Sequence, residues 1–125
     1  MIQWKFDRDK DLITAKYTGS ISYEEIAQYI NDLGRINDLP KKLYILSDYT
    51  DADTRLLYRA KRAALVLDDI KDRMRKYDLV KEAILQNNPF GAALANLYIT
   101  FFRNTKNYKI KLFSTRTAAM AWLES

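Results

Sequence analysis

Residues 81–102 read KEAILQNNPFGAALANLYITFF, and the order of their parts decides the fold class. The short apolar run KEAILQ suits a buried strand. Residues 86–88 then form a brief polar loop, and a long apolar helix opens at Pro89. Proline fits the first helical turn because the N–H it lacks would have had no intrahelical partner. Asn88 before it is a natural N-cap, its side chain able to accept from the free N–H groups of that turn. Gly91 falls within the turn, where a missing side chain permits close approach of a backbone or a ligand. The helix is apolar nearly all the way round, so it is expected to be the most buried one. A helix N-terminus also favours anions. The loop nevertheless has neither the lysine of GxxxxGK[ST] nor the spacing of GxGxxG. It reads as the start of a helix.

Working outward, the same alternation recurs. IQWKF, DRDKD and LITAKYT read as strand, tight turn and strand, with Trp4 and Phe6, then Ile13, Ala15 and Tyr17, alternating with polar neighbours. Gly19 ends the second strand. Ser22 stands three residues before Glu25, a capping box that opens a helix running to about Leu33. Ile26, Ile30 and Leu33 form its buried stripe, and Gly34 lies where a C-cap would. A central strand is expected near residues 43–48. Asp53 or Thr54 caps a helix over residues 54–76, whose apolar stripe is Leu56, Ala60, Ala63, Leu67, Ile70 and Met74. YKIKLFS supplies the fifth strand. Thr115 caps a last helix, with Ala118, Ala119, Trp122 and Leu123 packing back on the sheet. The pattern is ββαβαβαβα: a single α/β domain over residues 1–125, with a mostly parallel mixed sheet of about five strands and an antiparallel first strand.

Composition removes whole classes of chemistry. The 125 residues include neither cysteine nor histidine. That excludes disulfides, thiolate zinc sites, Ser-His-Asp triads and HExxH zinc sites together. A chain of this length buries roughly two-thirds of its unfolded surface and needs no staple. MIQWKFDRDKD has no apolar signal-peptide core, and no apolar run approaches the roughly 20 residues of a membrane span. A cytoplasmic location is the expectation. Charge is uneven. Residues 1–53 carry net −3, residues 54–76 net +5 and residues 77–125 net +3, within an overall +5. The basic helix places Arg55, Arg59, Arg62 and Arg73 off the apolar stripe, a candidate basic face for an acidic partner.

Three stretches bring a family into view: DYTDA after the third strand, NNPFGAALA after the fourth, and KLFSTRTAAMAWL at the end. Together they resemble the SpoIIAA-like family, a STAS-like group akin in fold to anti-sigma-factor antagonists and loosely to Sec14-type lipid-binding domains. Its most specific parts are Asn88-Pro89 with Leu94-Ala95, and Phe113-Ser114-Thr115 with Ala121-Trp122-Leu123. The resemblance covers almost the whole chain and implies a five-stranded module without enzymatic activity. Antagonists of this fold carry a phosphorylatable serine in a DSSGL-like motif. The nearest wording here is Asp53-Thr54-Arg55-Leu56, where the serine and glycine are missing.

In such an open sheet, ligands bind beyond the C-terminal ends of the parallel strands. Three loops are expected to meet there, residues 19–22, 48–54 and 87–91, and Asp48, Asp51, Asp53 and Thr54, then Asn87, Asn88 and Gly91, form the candidate rim for a ligand or partner. Three aspartates within six residues could converge on Mg²⁺, and DxDxT is similar in wording to a phosphatase motif. Yet Asp51 lies several residues beyond Leu46 instead of directly after the strand, and a turn followed by an N-cap explains these residues as well. Aromatics interleaved with basic residues from Tyr98 to Lys111 could stack bases. However, Tyr98 and Phe102 have ordinary core spacing, no nucleic-acid signature accompanies them, and a nucleic-acid partner is disfavoured.

The expected function is a non-catalytic STAS-like regulatory or interaction module, without cofactor or metal, that binds an acidic protein or a small apolar ligand. Homodimerisation is compatible with it. The alternative is a carrier of a lipid or other apolar ligand, by analogy with Sec14-type folds, and a Mg²⁺-dependent phosphatase comes third.

Overall fold

The computed structural model describes residues 1–58 and 63–125. A five-stranded sheet runs in sequential order through β1 (Ile2–Asp7), β2 (Leu12–Ser20), β3 (Lys42–Asp53), β4 (Leu79–Leu85) and β5 (Tyr108–Phe113). The first pair is antiparallel and the others parallel, as expected. The hairpin between β1 and β2 closes with Asp11 at φ 53°, a left-handed conformation that aspartate tolerates. Between the strands lie α1 (Tyr23–Gly34), α2 (Arg55–Tyr58), α3 (Ala63–Met74) and α4 (Pro89–Phe101), and α5 (Arg116–Leu123) ends the chain.

Sequential strand order with crossovers of one hand puts the connecting helices on one face. The larger core lies there, joining Ile13, Ala15 and Ile45 of the sheet to Ile30 and Leu33 of α1 and Ile70 and Met74 of α3. On the other face α5 closes a smaller core, with Ala119 and Leu123 on Leu12, Leu46 and Ala83. Period-two alternation in the strands serves both layers.

The local signals at helix starts hold. Ser22 Oγ accepts from Glu25 N at 3.2 Å while the Glu25 carboxylate accepts from Ser22 N at 3.2 Å. Asn88 Oδ1 accepts from Phe90 N at 2.9 Å and Gly91 N at 3.2 Å. Thr115 Oγ1 accepts from Ala118 N at 3.3 Å.

Other expectations need correction. Gly34 is the last helical residue and Arg35 the C-cap, in an ordinary right-handed conformation, so no left-handed glycine is needed there. Of the helix expected over residues 54–76, the described residues form α2 and α3, and α3 ends at Met74; residues 59–62 between them lie outside the described residues. Ala60, Arg59 and Arg62 lie outside the described residues. Leu56, assigned to the buried stripe, is 52% exposed, and Leu57 is buried instead. α2 starts directly after Thr54, with Leu57 N donating to Thr54 O at 3.0 Å, and this register turns Leu57 inward. Ala118 is exposed, leaving Ala119 and Leu123 to pack.

Two differences bear on function. β3 continues through the DYTDAD segment expected to be a loop, because β2 runs long enough to pair with it as far as Ser20 and Asp53. And α4 is not the most buried helix. Only Gly91 and Ala95 in it are buried, while Phe90, Leu97 and Phe101 are exposed.

Candidate functional site

The reason α4 is not packed shut is a cavity of about 600 Å³ between it, α1, α3 and the sheet. Its floor is unusual for a core. β3 and β4 pair Ile45 with Glu82, so the strand alternation that buries Val80 and Ile84 also turns a carboxylate toward the cavity. Tyr17, Tyr49 and Tyr108 join Glu82 there, with Tyr29 of α1 and Tyr98 of α4 in the walls. The remaining wall is aliphatic, including Ile26 and Ile30 from α1, Val66 and Leu67 from α3 and Leu94 from α4.

Polar groups on this floor satisfy one another. Ser47 Oγ donates to Glu82 Oε2 at 2.6 Å, and the Tyr108 hydroxyl donates to Glu82 Oε1. The Tyr98 and Tyr108 hydroxyls are 2.7 Å apart. With Tyr108 giving its proton to Glu82, the direction of the chain is Tyr98 to Tyr108 to Glu82, with Ser47 closing it from β3. Burial raises the pKa of Glu82, and the two hydrogen bonds oppose that shift without cancelling it. Burial likewise pushes the phenols of Tyr17, Tyr29, Tyr49, Tyr98 and Tyr108 well above their ordinary value, so they stay neutral. The rings of Tyr17 and Tyr49 stack at 3.9 Å. Tyr29 packs edge-on to Tyr17 at 6.3 Å and tilted to Trp4 at 6.0 Å. Its hydroxyl is buried and has no hydrogen-bond partner among the described residues.

The residues expected to form one rim are divided by the sheet. Between Lys16–Asp48 and Thr18–Asp51 the register slips, β3 holding one residue more than β2. This bulge brings Asp51 to the same face as Asp48, and both carboxylates meet Lys16, at 3.6 Å for Asp48 and 3.0 Å for Asp51. Burial works against ionisation of Asp48, but hydrogen bonds from Thr50 and the Lys16 charge outweigh it and lower its pKa. Asp53 turns away to Arg55, whose Nη2 stands 2.7 Å off. These hydrogen bonds hold Asp53 down at about 2. The three aspartates therefore do not converge as a Mg²⁺ site requires. Among the described residues no cluster of three acidic side chains could hold a metal ion.

Thr54 and Gly91 do reach the cavity. Thr54 is 6% exposed, out of reach of a modifying enzyme in this conformation. Asn87 and Asn88 are exposed and serve the α4 turn. Because Asn88 already occupies the Phe90 and Gly91 N–H groups, that helix start offers little to an anion. Of the expected basic face, Arg55 is tied to Asp53, and Arg73 donates to Asp69 at 3.1 Å and to Asn31 at 2.6 Å. Arg59 and Arg62 lie outside the described residues.

The site residues that sequence reasoning missed are Glu82, Tyr17, Tyr29, Tyr49 and Gln86. The Gln86 side chain donates from Nε2 to Tyr49 O at 3.2 Å and accepts at Oε1 from the Asn87 and Asn88 N–H groups, both at 3.0 Å. A lone carboxylate inside KEAIL was the available signal, since a core strand rarely carries one.

The architecture defines an α/β module with a SpoIIAA-like fold. The chain is similar in structure to an uncharacterised protein of the DUF3478 family from Shewanella loihica PV-4, described as having that fold. The two share 16% sequence identity over 98% of this chain and 92% of the other, with a TM-score of 0.61. At that identity the likeness is one of fold. No family model and no curated protein matches the sequence. Among the described residues no helix is long and apolar enough to cross a membrane.

Proposed function

We propose that the protein is a non-catalytic module that takes up a small, largely apolar ligand in the cavity under α4. The carrying observation is the cavity itself. Its volume of about 600 Å³ lies within the roughly 300–1,000 Å³ of small-molecule sites. Its walls are aliphatic and aromatic, and its few polar groups are gathered on the floor, the arrangement such sites use to bind and orient a ligand. This favours the carrier reading over one centred on the aspartates.

The test uses N-phenyl-1-naphthylamine, an uncharged dye that fluoresces in apolar surroundings, together with native mass spectrometry of freshly purified protein. The dye should brighten with the parent protein. It should brighten less with Leu94→Trp, whose indole takes up part of the cavity while circular dichroism stays unchanged. No brightening, or equal brightening by a folded Leu94→Trp protein, overturns the reading. A co-purifying apolar molecule supports it.

Absence of catalysis is part of the same proposal. Hydrolysis of an aryl phosphate with Mg²⁺ should not exceed buffer, and turnover abolished by Asp51→Asn would contradict it. A second reading, a module that binds a protein partner or a second copy of itself, draws on a different observation. Apart from Met1, the exposed large apolar side chains among the described residues are Leu56, Tyr58, Leu65, Phe90, Leu97 and Phe101, all on α2, α3 and α4. Tyr58 and Phe90 are in contact, their ring centroids 5.7 Å apart, and exposed apolar surface is a mark of interaction sites. Concentration-dependent sedimentation would reveal self-association.

A further inference from the structure

We propose that the ligand is an uncharged apolar molecule carrying a carbonyl oxygen, held by a hydrogen bond from the Tyr29 hydroxyl, and that ionised fatty acids are excluded. This rests on the cavity being a ligand site and adds the chemistry of what enters it.

Two independent observations carry it. The first is an unmet donor. Among the described residues, Tyr29 Oη is the buried side-chain polar atom left without a hydrogen-bond partner, and Tyr29 lines the cavity. The other polar groups of the floor are engaged: both Glu82 oxygens accept, from Ser47 and Tyr108, and Gln86 spends its amide on Tyr49 and the Asn87 and Asn88 N–H groups. Buried polar groups are rarely orphaned, and those that are call for an explanation. A ligand acceptor supplies one. Trp4 and Tyr17 pack around the Tyr29 ring, which limits where its hydroxyl can go in search of another partner.

The second observation is charge. The described residues lining the cavity include no lysine or arginine, and their one ionisable carboxyl is Glu82. Among the described residues a carboxylate ligand would meet an acidic group and no cation, and an unpaired buried charge is strongly disfavoured. A cationic amine would find Glu82 with both oxygens already taken. A ketone or ester gives up hydrogen bonds to water but no charge, and the Tyr29 hydroxyl, otherwise unmet among the described residues, supplies a hydrogen bond in return.

The experiment displaces N-phenyl-1-naphthylamine with four chains of equal length: decane, decan-2-one, decanoate and decylamine. In the parent protein, decan-2-one should displace the dye at a concentration about tenfold below the other three, the ratio expected for one added neutral hydrogen bond. Tyr29→Phe removes a hydroxyl with no partner among the described residues, so the variant should fold as the parent does. In it, decan-2-one should fall to the level of decane, while dye and decane bind as before. If decanoate or decylamine competes as well as decan-2-one, or if Tyr29→Phe leaves the ketone's advantage intact, the inference falls and the cavity remains a ligand site. If the parent binds no dye, both fall together.

Discussion

Gly91 lies so close to the side chain of Gln86 that a β-carbon added there would stand 2.6 Å from Cδ. Space, not backbone conformation, is what demands glycine, and Gln86 is not free to yield. Its amide holds Tyr49 O on β3 and the Asn87 and Asn88 N–H groups on the way into α4. Gly91→Ala should therefore destabilise the fold by about 1–3 kcal/mol, the usual cost of overpacking. Urea denaturation measures it. In the double variant with Gln86→Ala, part of that loss should vanish, because the two sites share one contact. A midpoint unchanged in Gly91→Ala alone would show that the glutamine swings aside.

The helix caps should contribute separately. Ser22→Ala breaks a reciprocal pair with Glu25, and Asn88→Ala frees two N–H groups of α4. Each should cost about 1 kcal/mol. Because the caps sit on different helices, their effects should add in the double variant. A clearly non-additive sum would mean that the two helix starts are coupled through the sheet.

What was legible in the sequence was what neighbours along the chain decide. Ser22 with Glu25, and Asn88 with Pro89, announce helix starts because capping acts across three residues. The alternation of Ile13, Ala15 and Tyr17 announces a strand with one buried face. By contrast, the extension of β3 through Asp53 depends on how far β2 runs beside it and on a bulge near Asp48, which are facts about pairing. The apolar character of α4 was equally plain, but composition does not tell whether apolar side chains fill a core or line a space. Phe90, Leu97 and Phe101 stay exposed and Leu94 faces the cavity. Glu82 and the tyrosines around it come from four strands and two helices, so no local pattern gathers them.

The two described arginines of the expected basic face should behave differently from one another. Arg55 is 80% exposed in its side chain and pairs with Asp53 two residues away, so Arg55→Ala should leave stability nearly unchanged. Arg73 reaches across from α3 to Asn31 of α1, and its Nη1 would stand 2.9 Å from a β-carbon placed at Gly34. Arg73→Ala removes that bridge as well as a half-exposed pair with Asp69. It should lower stability by about 1 kcal/mol, more than Arg55→Ala does. Equal effects of the two substitutions in thermal melts would mean that the bridge to α1 contributes nothing.

Glu82 should leave its mark on the pH dependence of folding. Burial raises its pKa in the folded protein above the 4.5 of an ordinary glutamate. Between those two values the folded form holds a proton that the unfolded chain has released. The stability this provides is fully present below the unfolded value and is lost as pH rises through the raised folded one. Glu82→Gln removes the titration but keeps the shape. Its amide oxygen can accept from one of Ser47 and Tyr108 while its NH₂ donates to the other, since either hydroxyl can rotate. Asp48 and Asp53, whose pKa values are lowered, lose stability as pH falls instead, but they do so in both proteins and cancel from the comparison. Urea midpoints measured from roughly pH 4 to pH 8 should therefore show the parent losing ground to Glu82→Gln as pH rises. Parallel curves for the two proteins would mean that the carboxylate ionises in the folded protein as readily as in the unfolded chain, and that Ser47 and Tyr108 fully offset its burial.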